Sequence, residues 1–248
     1  MLPTCATPAL TDSLLTTEDG SRTLSRAGAE TFHSVHGAVT ESRHVFLAAS
    51  ALAHRLRTTP VVRVLEIGFG SGLNFLLAAD LAVQSGTQLH YTALENALPS
   101  RDHVLALEHD RWLDHRGLAR RLSDDVLQRQ RGERHTRHLR LGHVVLDLHV
   151  RDAATADLGR RWHDVVFHDA FSPTACPTLW TDAFLYRCVH GLRDGGCLVT
   201  YCARGAVRRG LTAAGAQVDR LPGPPGKREM LRANAPPSAL AVRSVDLA

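Results

Sequence analysis

The spacing of apolar residues divides this chain into segments of distinct rhythm. The first fourteen residues read as a loose tail, and LLTTEDGSRTLSRA then sets β-favouring flanks around Asp19-Gly20, which predicts a hairpin turn. From about His36 to Arg57 the apolar positions Val39, Val45, Phe46 and Leu52 recur near helical spacing, and the Thr-Thr-Pro before Val61 closes that run. Beyond Pro60, VVRVLEIG is a short β-branched stretch that ends in glycine, as a buried parallel strand does. Residues 73–83 are apolar and free of breakers, predicting a helix; TQLHYTALE predicts a second strand and residues 100–109 a second helix. This β-α-β-α order predicts a doubly wound α/β sheet.

The rhythm changes in the second half. Residues 111–140 mix arginine and histidine with acids and read as one or two solvated helices, either a charged outer face or a nucleic-acid patch. HLRLGHVVLDLHVRDA alternates, as a hairpin or bent strand pair re-entering the sheet would. HDVVFHDA, GGCLVTYC and AQVDRL then predict strands, with LWTDAFLYRCVHGL and AVRRGLTAAG as helices between them. A last strand around Lys227 to Arg232 completes a mostly parallel seven-stranded sheet with helices on both faces. Residues 1–58 form an N-terminal extension of tail, hairpin and helix, packed on a main domain at 59–248.

Composition narrows the class. A 248-residue chain that is 44% hydrophobic can bury a real core, which argues against wholesale disorder. No apolar run approaches the ~20 residues a membrane span needs, and the N-terminus lacks the pattern of a secretion signal. The cytoplasm is the expected location. The five cysteines form no C-x-x-C pair and are expected to be reduced core or loop residues. No metal is expected: His33 and His36 lie three apart, with no third ligand in sight. Net charge is +4, carried almost wholly by arginine because Lys227 is the sole lysine. That balance is compatible with RNA binding without establishing it.

The strongest local motif is Glu66-Ile67-Gly68-Phe69-Gly70-Ser71-Gly72-Leu73-Asn74. Glycines between a strand and a helix let the backbone turn sharply and approach a ligand with no Cβ in the way. A dinucleotide site favours G-x-G-x-x-G, whereas this spacing is G-x-G-x-G with Glu66 two residues ahead. Glu95 ends the next strand, where an acid can accept both hydroxyls of a ribose; that supports a nucleoside cofactor of either kind. Asp152 ends a later strand. Asp169, Phe171 and Pro173 stand at the carboxyl end of the fourth strand, where open α/β sheets place their active sites. Asp169 there could accept N–H bonds from an amine, orient its lone pair and take up a proton.

DAFSPTACPTLWTDAFL, GGCLVTYCARGAVRRGLTAAGAQV and PGPPGKREMLRA, together with LEIGFGSGLNFL and DGSRTLSRAGAETFHSVHGAVTESRHVFL, resemble the methyltransferase module of the MnmC family and its stand-alone MnmD form. The resemblance runs from about Glu18 to Arg232 and implies a Rossmann-like class I fold, with 59–248 as the S-adenosylmethionine-binding methyltransferase domain. It implies N-methylation of the 5-aminomethyl group on the modified wobble uridine of tRNA, giving 5-methylaminomethyl-(2-thio)uridine. S-adenosyl-L-methionine is the implied cofactor, held by Glu66, Gly68, Phe69, Gly70, Ser71, Gly72, Asn74, Glu95 and Asp152. Asp169 is the implied catalytic residue. Phe171, Pro173, His33, His36, Lys227 and Arg228 are candidate substrate residues, and the tRNA anticodon stem-loop the partner. Likeness to the stand-alone form implies no fused oxidoreductase domain, so the aminomethyl-uridine is expected from a separate source. The chain departs from the family at Thr174-Ala175-Cys176 and at Asn96-Ala97.

Some candidates stay open on the sequence. Glu41 and His44 face either a pocket or solvent, and Trp180 is either core or a base-stacking platform. Arg204, Arg208 and Arg209 join Lys227 and Arg228 as phosphate candidates. An S-adenosylmethionine-dependent N-methyltransferase of another RNA or of a small amine is the alternative activity. An NAD-dependent dehydrogenase is disfavoured by the glycine spacing and the DAFSP block.

Overall fold

The computed structural model describes residues 12–26, 30–127 and 136–236. Its β-branched runs become strands because such side chains pack well on a pleated surface. In chain order the elements are strands β1 (Asp12–Thr16) and β2 (Arg22–Arg26), helix α1 (Ala38–Glu41), a π-helical turn (Ser42–Ala48), α2 (Leu52–Thr58), β3 (Val61–Ile67), α3 (Leu73–Ser85) and β4 (Gln88–Glu95). There follow α4 (Arg101–Ala106), α5 (Leu118–Leu122), β5 (Thr136–Leu141), β6 (Val144–Val150), β7 (His163–His168), α6 (Asp182–Gly191), β8 (Leu192–Thr200), α7 (Gly205–Ala213), β9 (Gln217–Pro222) and β10 (Glu229–Asn234).

The main sheet has the order β5-β6-β4-β3-β7-β8-β10-β9. Its five central strands, β6 to β8, run parallel, and the outer strands pair antiparallel. The sheet has eight strands rather than the seven expected, because the alternating segment supplies a full hairpin: β5 pairs antiparallel with β6 from Thr136↔His149 to Leu141↔Val144. The strand order reverses between β3 and β7, which opens a crevice at their carboxyl ends.

Alternation along the strands splits the core into two layers. Val62, Val64, Tyr91, Val165, Phe167 and Val199 pack on one face with Phe46 and Phe75 from the helical side. Leu65, Ile67, Val166 and Leu198 pack on the other with Leu185 and Val207. Glu66 shares its strand face with Val62 and Val64, so its side chain points beneath α3 rather than up into the crevice.

Three expectations change. Strand β1 begins at Asp12, inside the segment read as tail, and pairs in register with β2 from Asp12↔Arg26 to Thr16↔Arg22. The helix expected from His36 to Arg57 is broken: Ala51 takes a left-handed φ of 54°, and the buried Ser50 hydroxyl donates to the Phe46 carbonyl four residues back. Residues 111–127 are also less solvated than their charge suggests, because Leu118, Leu122 and Val126 turn into the core. Cys188, Cys197 and Cys202 are free thiols. Cys176 instead is disulfide-bonded, which the spacing of cysteines along the chain does not signal.

Candidate active site

The turn from β3 into α3 brings backbone to the crevice floor. Gly68 has φ 88° and Gly70 φ 54°, and a Cβ added to Gly68 would stand 2.6 Å from the Asp169 carbonyl oxygen. The close approach of these two loops therefore requires glycine. Gly68 N–H donates to Leu94 O and Asp169 N–H to Ile67 O, both at 2.9 Å, which locks the three strand ends together. Glu95, at the end of β4, accepts Gly70 N–H on Oε2 and Ala97 N–H on Oε1, each at 2.9 Å. Asp152 caps the short turn after β6 by accepting Ala154 N–H at 2.9 Å.

A cleft of about 700 Å³ lies over this floor, lined by Gly68, Phe69, Gly70, Glu95, Asp152 and Asp169, with Arg26, Phe32 and His33 closing it from the N-terminal segment. Both Glu95 oxygens accept backbone N–H groups, and a carboxylate has acceptor capacity left for a further donor. An acid so placed beside a glycine turn fits a ribose diol, so the lining suits an adenosyl cofactor. Asn96 and Cys176, two of the family departures, also line this cleft.

A second cleft of about 780 Å³ adjoins it, lined by Glu30, Ser34, Glu41, Asp169, Tyr201 and Lys227 among others. The two share Phe32, His33, Asp169, Ala170 and Phe171. Glu41 is only 5% exposed; it accepts Lys227 Nζ on Oε1 at 2.6 Å and Ser34 N–H on Oε2 at 2.7 Å. Lys227 Nζ also sits 3.9 Å from the Tyr201 ring centroid, a cation–π contact. Tyr201 donates its hydroxyl to Ala170 O at 2.9 Å, and Glu30 receives Ser172 N–H at 2.8 Å and the Ser172 hydroxyl. Phe32 meets Phe171 edge-on at 5.5 Å, and the Arg26 guanidinium lies over both rings, at 5.0 and 5.9 Å.

Burial and neighbouring acids tune the junction. Asp169 keeps an edge toward the clefts, yet desolvation, then Glu66 and Glu41, hold its carboxyl well above the usual range. Desolvation pushes Glu66 up to about 8 and raises Glu95 as well. His33 is shifted down by burial, and His109, hydrogen-bonded to Ser71 at 3.1 Å, is pushed down to about 3. Both imidazoles are neutral at physiological pH.

Of the residues singled out from sequence, the structure gathers His33, Gly68, Phe69, Gly70, Glu95, Asp152, Asp169, Phe171 and Lys227 at the clefts. Glu66, Ser71, Gly72 and Asn74 stand behind the cofactor cleft and line neither space, because strand alternation and the helix start turn them inward. Pro173 supports the following loop without lining either cleft. His36 is exposed, bonded to Glu18 at 2.9 Å and packed on Gly226, and Arg228 is exposed as well. Lys227 is committed to Glu41 rather than free for phosphate. Glu41 resolves to the pocket, His44 to an exposed bond with Pro222 O, and Trp180 to core, its Nε1–H donating to Phe171 O at 2.8 Å. Arg26, Glu30, Phe32 and Tyr201 escaped the sequence reading. Only Tyr201, just past the end of β8, carried a signal, since strand carboxyl ends face the crevice.

Residues 114–236 match a family described as S-adenosyl-L-methionine-dependent methyltransferase. The chain is 37% identical over 225 residues to the tRNA 5-methylaminomethyl-2-thiouridine biosynthesis bifunctional protein MnmC of Azoarcus sp. (strain BH72), covering 89% of this chain and 35% of that protein. It is 36% identical to the protein of the same name from Caulobacter vibrioides, covering 93% and 39%. The chain thus spans little more than a third of the length of these curated relatives. The crystal structure of MNMC2 from Aquifex aeolicus superposes with a TM-score of 0.71 at 25% identity, covering 96% of this chain and 77% of that one. Sequence, strand order and cleft agree: the chain belongs to the S-adenosyl-L-methionine-dependent methyltransferases, alongside the methyltransferase modules of the MnmC proteins.

Proposed function

We propose that the chain N-methylates the 5-aminomethyl group of a modified wobble uridine in tRNA, giving 5-methylaminomethyl-(2-thio)uridine. The observation that carries this reading is the meeting of the two clefts at Asp169. One suits an adenosyl cofactor; the other gathers the carboxyl groups of Glu30, Glu41 and Asp169, with Glu41 paired to Lys227, acceptors suited to the N–H groups of an amine. In this reading Gly68, Gly70, Glu95 and Asp152 hold S-adenosyl-L-methionine, which supplies an electrophilic methyl group when bound.

The chain's own residues do the rest. An alkyl ammonium has no lone pair to donate, so the amine must lose a proton before a carbon–nitrogen bond can form. Asp169 accepts that proton: its raised pKa makes its ionised form a better base than an ordinary carboxylate. The resulting carboxyl group still has oxygen lone pairs, and by accepting a remaining N–H it aims the nitrogen lone pair. The bound cofactor would give up its methyl carbon to that lone pair and keep the electron pair of the carbon–sulfur bond on its sulfur. Phe32 and Phe171, wedged under Arg26, shape the passage and keep water from the junction. Exposed Arg204, whose Nη2 reaches Thr174 Oγ1 at 3.2 Å on the loop after Asp169, and Arg228 are placed to meet the phosphates of an anticodon stem-loop. The cytoplasm is the compartment this reading implies.

The test is nucleoside analysis of tRNA bearing 5-aminomethyl-uridine after incubation with the protein and S-adenosyl-L-methionine. Conversion of the aminomethyl to the methylaminomethyl nucleoside is expected. Transfer to free amines or to other RNAs, with that nucleoside untouched, would assign a different substrate.

A further inference from the structure

Behind Asp169 lies a set of polar groups that lines neither cleft. Asn74, on the first turn of α3, is 2% exposed, and its Nδ2 donates to Glu66 Oε1 and to Asp169 Oδ2, each at 2.8 Å. An amide nitrogen carries two N–H groups, so both are spent on carboxylates from different strand ends. Tyr91, on β4, donates its hydroxyl to the other Glu66 oxygen at 2.9 Å. Asn74 Oδ1 is buried without a partner, so the two carboxylates alone orient the amide. Glu66 is 0% exposed, lying among the apolar residues of its sheet face. Glu66, Asn74 and Tyr91 line neither cleft.

We propose that Glu66, Asn74 and Tyr91 form a rear brace that positions and charges the Asp169 carboxylate, making Glu66 and Asn74 positioning residues rather than ligands of the cofactor. The inference rests on the proposed function in taking Asp169 as the acid that faces the acceptor amine. Anchoring Oδ2 from behind leaves Oδ1 to meet the substrate, which fixes the direction from which an N–H is accepted. The brace also sets proton affinity. The groups bearing on Asp169 are Glu66 from β3, Glu41 from α1, Lys227 from the turn before β10, and Asn74. Burial comes first and raises its pKa; Glu66 and Glu41 raise it further, while the Asn74 bond and Lys227 lower it. Tyr91 and Tyr201 face the same cluster as neutral phenols, their own pKa values raised by burial.

The brace therefore makes opposed predictions for its two main members. Glu66→Gln removes the neighbour whose ionised form, present above about pH 8, raises Asp169, and so moves Asp169 down; Asn74→Ala removes a hydrogen bond to the charged form and moves it up. A residue that merely fills space would do neither.

The experiment compares wild type, Glu66→Gln, Asn74→Ala and Tyr91→Phe. Cofactor affinity is measured by calorimetry without substrate. The Asp169 carboxyl is titrated by carbon-detected NMR, with Asp169→Asn identifying its signal, and kcat and KM are followed against pH on aminomethyl-uridine tRNA. The brace predicts a cofactor Kd within about twofold of wild type, kcat lowered about tenfold or more, and a substrate KM changed little. It predicts the Asp169 titration and the acid limb of kcat/KM moving to lower pH in Glu66→Gln and to higher pH in Asn74→Ala. Tyr91→Phe, which keeps both carboxylates and the amide, gives a smaller loss of kcat and carries the test if the Gln variant fails to fold. A cofactor Kd weakened about tenfold or more, with kcat intact at saturating cofactor, would return Glu66 to the cofactor site. An Asp169 titration unmoved in both variants would overturn the brace. Calorimetry and NMR need no tRNA, so failure of the tRNA assignment alone leaves those two readouts standing.

Discussion

The two clefts that meet at Asp169 are assembled in opposite ways. The cofactor cleft comes from short windows at the ends of adjacent parallel strands: the glycine turn after β3, Glu95 closing β4, Asp152 after β6. Its key contacts join neighbours in the sheet, such as Gly70 to Glu95. The second cleft is drawn together from distant parts of the chain. Glu41 pairs with Lys227 across 186 residues, and Glu30 holds Ser172 across 142. Asp19 organises this second wall, accepting Thr17, Ser21 and Thr40 hydroxyls together with the Ser21 and Thr40 amides, and these bonds hold its carboxyl well below the usual range against its burial. A cleft made by the fold's own topology serves a cofactor common to many enzymes. A cleft made by an appended segment and a late turn is free to specialise for one acceptor.

Substitutions that damage one cleft and spare the other sharpen this contrast. The largest effect is expected from Gly68→Ala, where a Cβ would stand 2.6 Å from the Asp169 carbonyl at a φ of 88°. Calorimetry should show cofactor binding lost and the midpoint of unfolding lowered, by about 1–3 kcal/mol of stability. Next comes Lys227→Met, which strands the 5% exposed Glu41 carboxylate. With the lysine side chain 33% exposed, water screens part of the loss, so about 1–2 kcal/mol is expected in denaturant unfolding. Substrate KM should rise while cofactor affinity holds. Adding Glu41→Gln should recover stability but not KM, and a full recovery of both would mean that the pair is only structural.

The pH dependence of stability tests the cofactor side. Glu66 titrates near 8 in the folded protein against 4.5 ordinarily, so the folded state holds a proton that the unfolded state releases. Its contribution is present below about pH 4.5 and is lost as pH rises through 8. Glu66→Gln should flatten the fall in Tm across that window; an unchanged slope would place the titration elsewhere. The smallest effect is expected at the rim. Arg228→Gln should weaken RNA binding evenly across sequences and reduce its salt slope by about one, leaving kcat at saturation untouched.

The same contrast explains what could be read from sequence. Glycine spacing, strand-end acids and apolar alternation are local signals, and they suffice for a mostly parallel sheet and for several residues that line the first cleft. Orientation within the motif was less legible. The place of Glu66 two residues before Gly68 points toward a cofactor, and only the structure shows it buried on the strand face of Val62 and Val64, lining neither cleft. The alternating segment was counted once although it folds as the β5–β6 hairpin. The second cleft was nearly opaque: no period marks Arg26, Glu30 or Phe32 as companions of Ser172 and Lys227, since only tertiary folding brings them together. Lys227 stood out as the sole lysine, and its charge suggested phosphate where the structure gives it Glu41 and Tyr201.

The most direct test of the account is single-turnover transfer of labelled methyl from S-adenosyl-L-methionine to aminomethyl-uridine tRNA by wild type and Asp169→Asn, with cofactor affinity measured in parallel. If the two clefts act through Asp169, the variant binds cofactor as wild type does and transfers methyl about a hundredfold or more slowly, with label on the wobble base in both. Equal transfer rates at equal cofactor occupancy would contradict it.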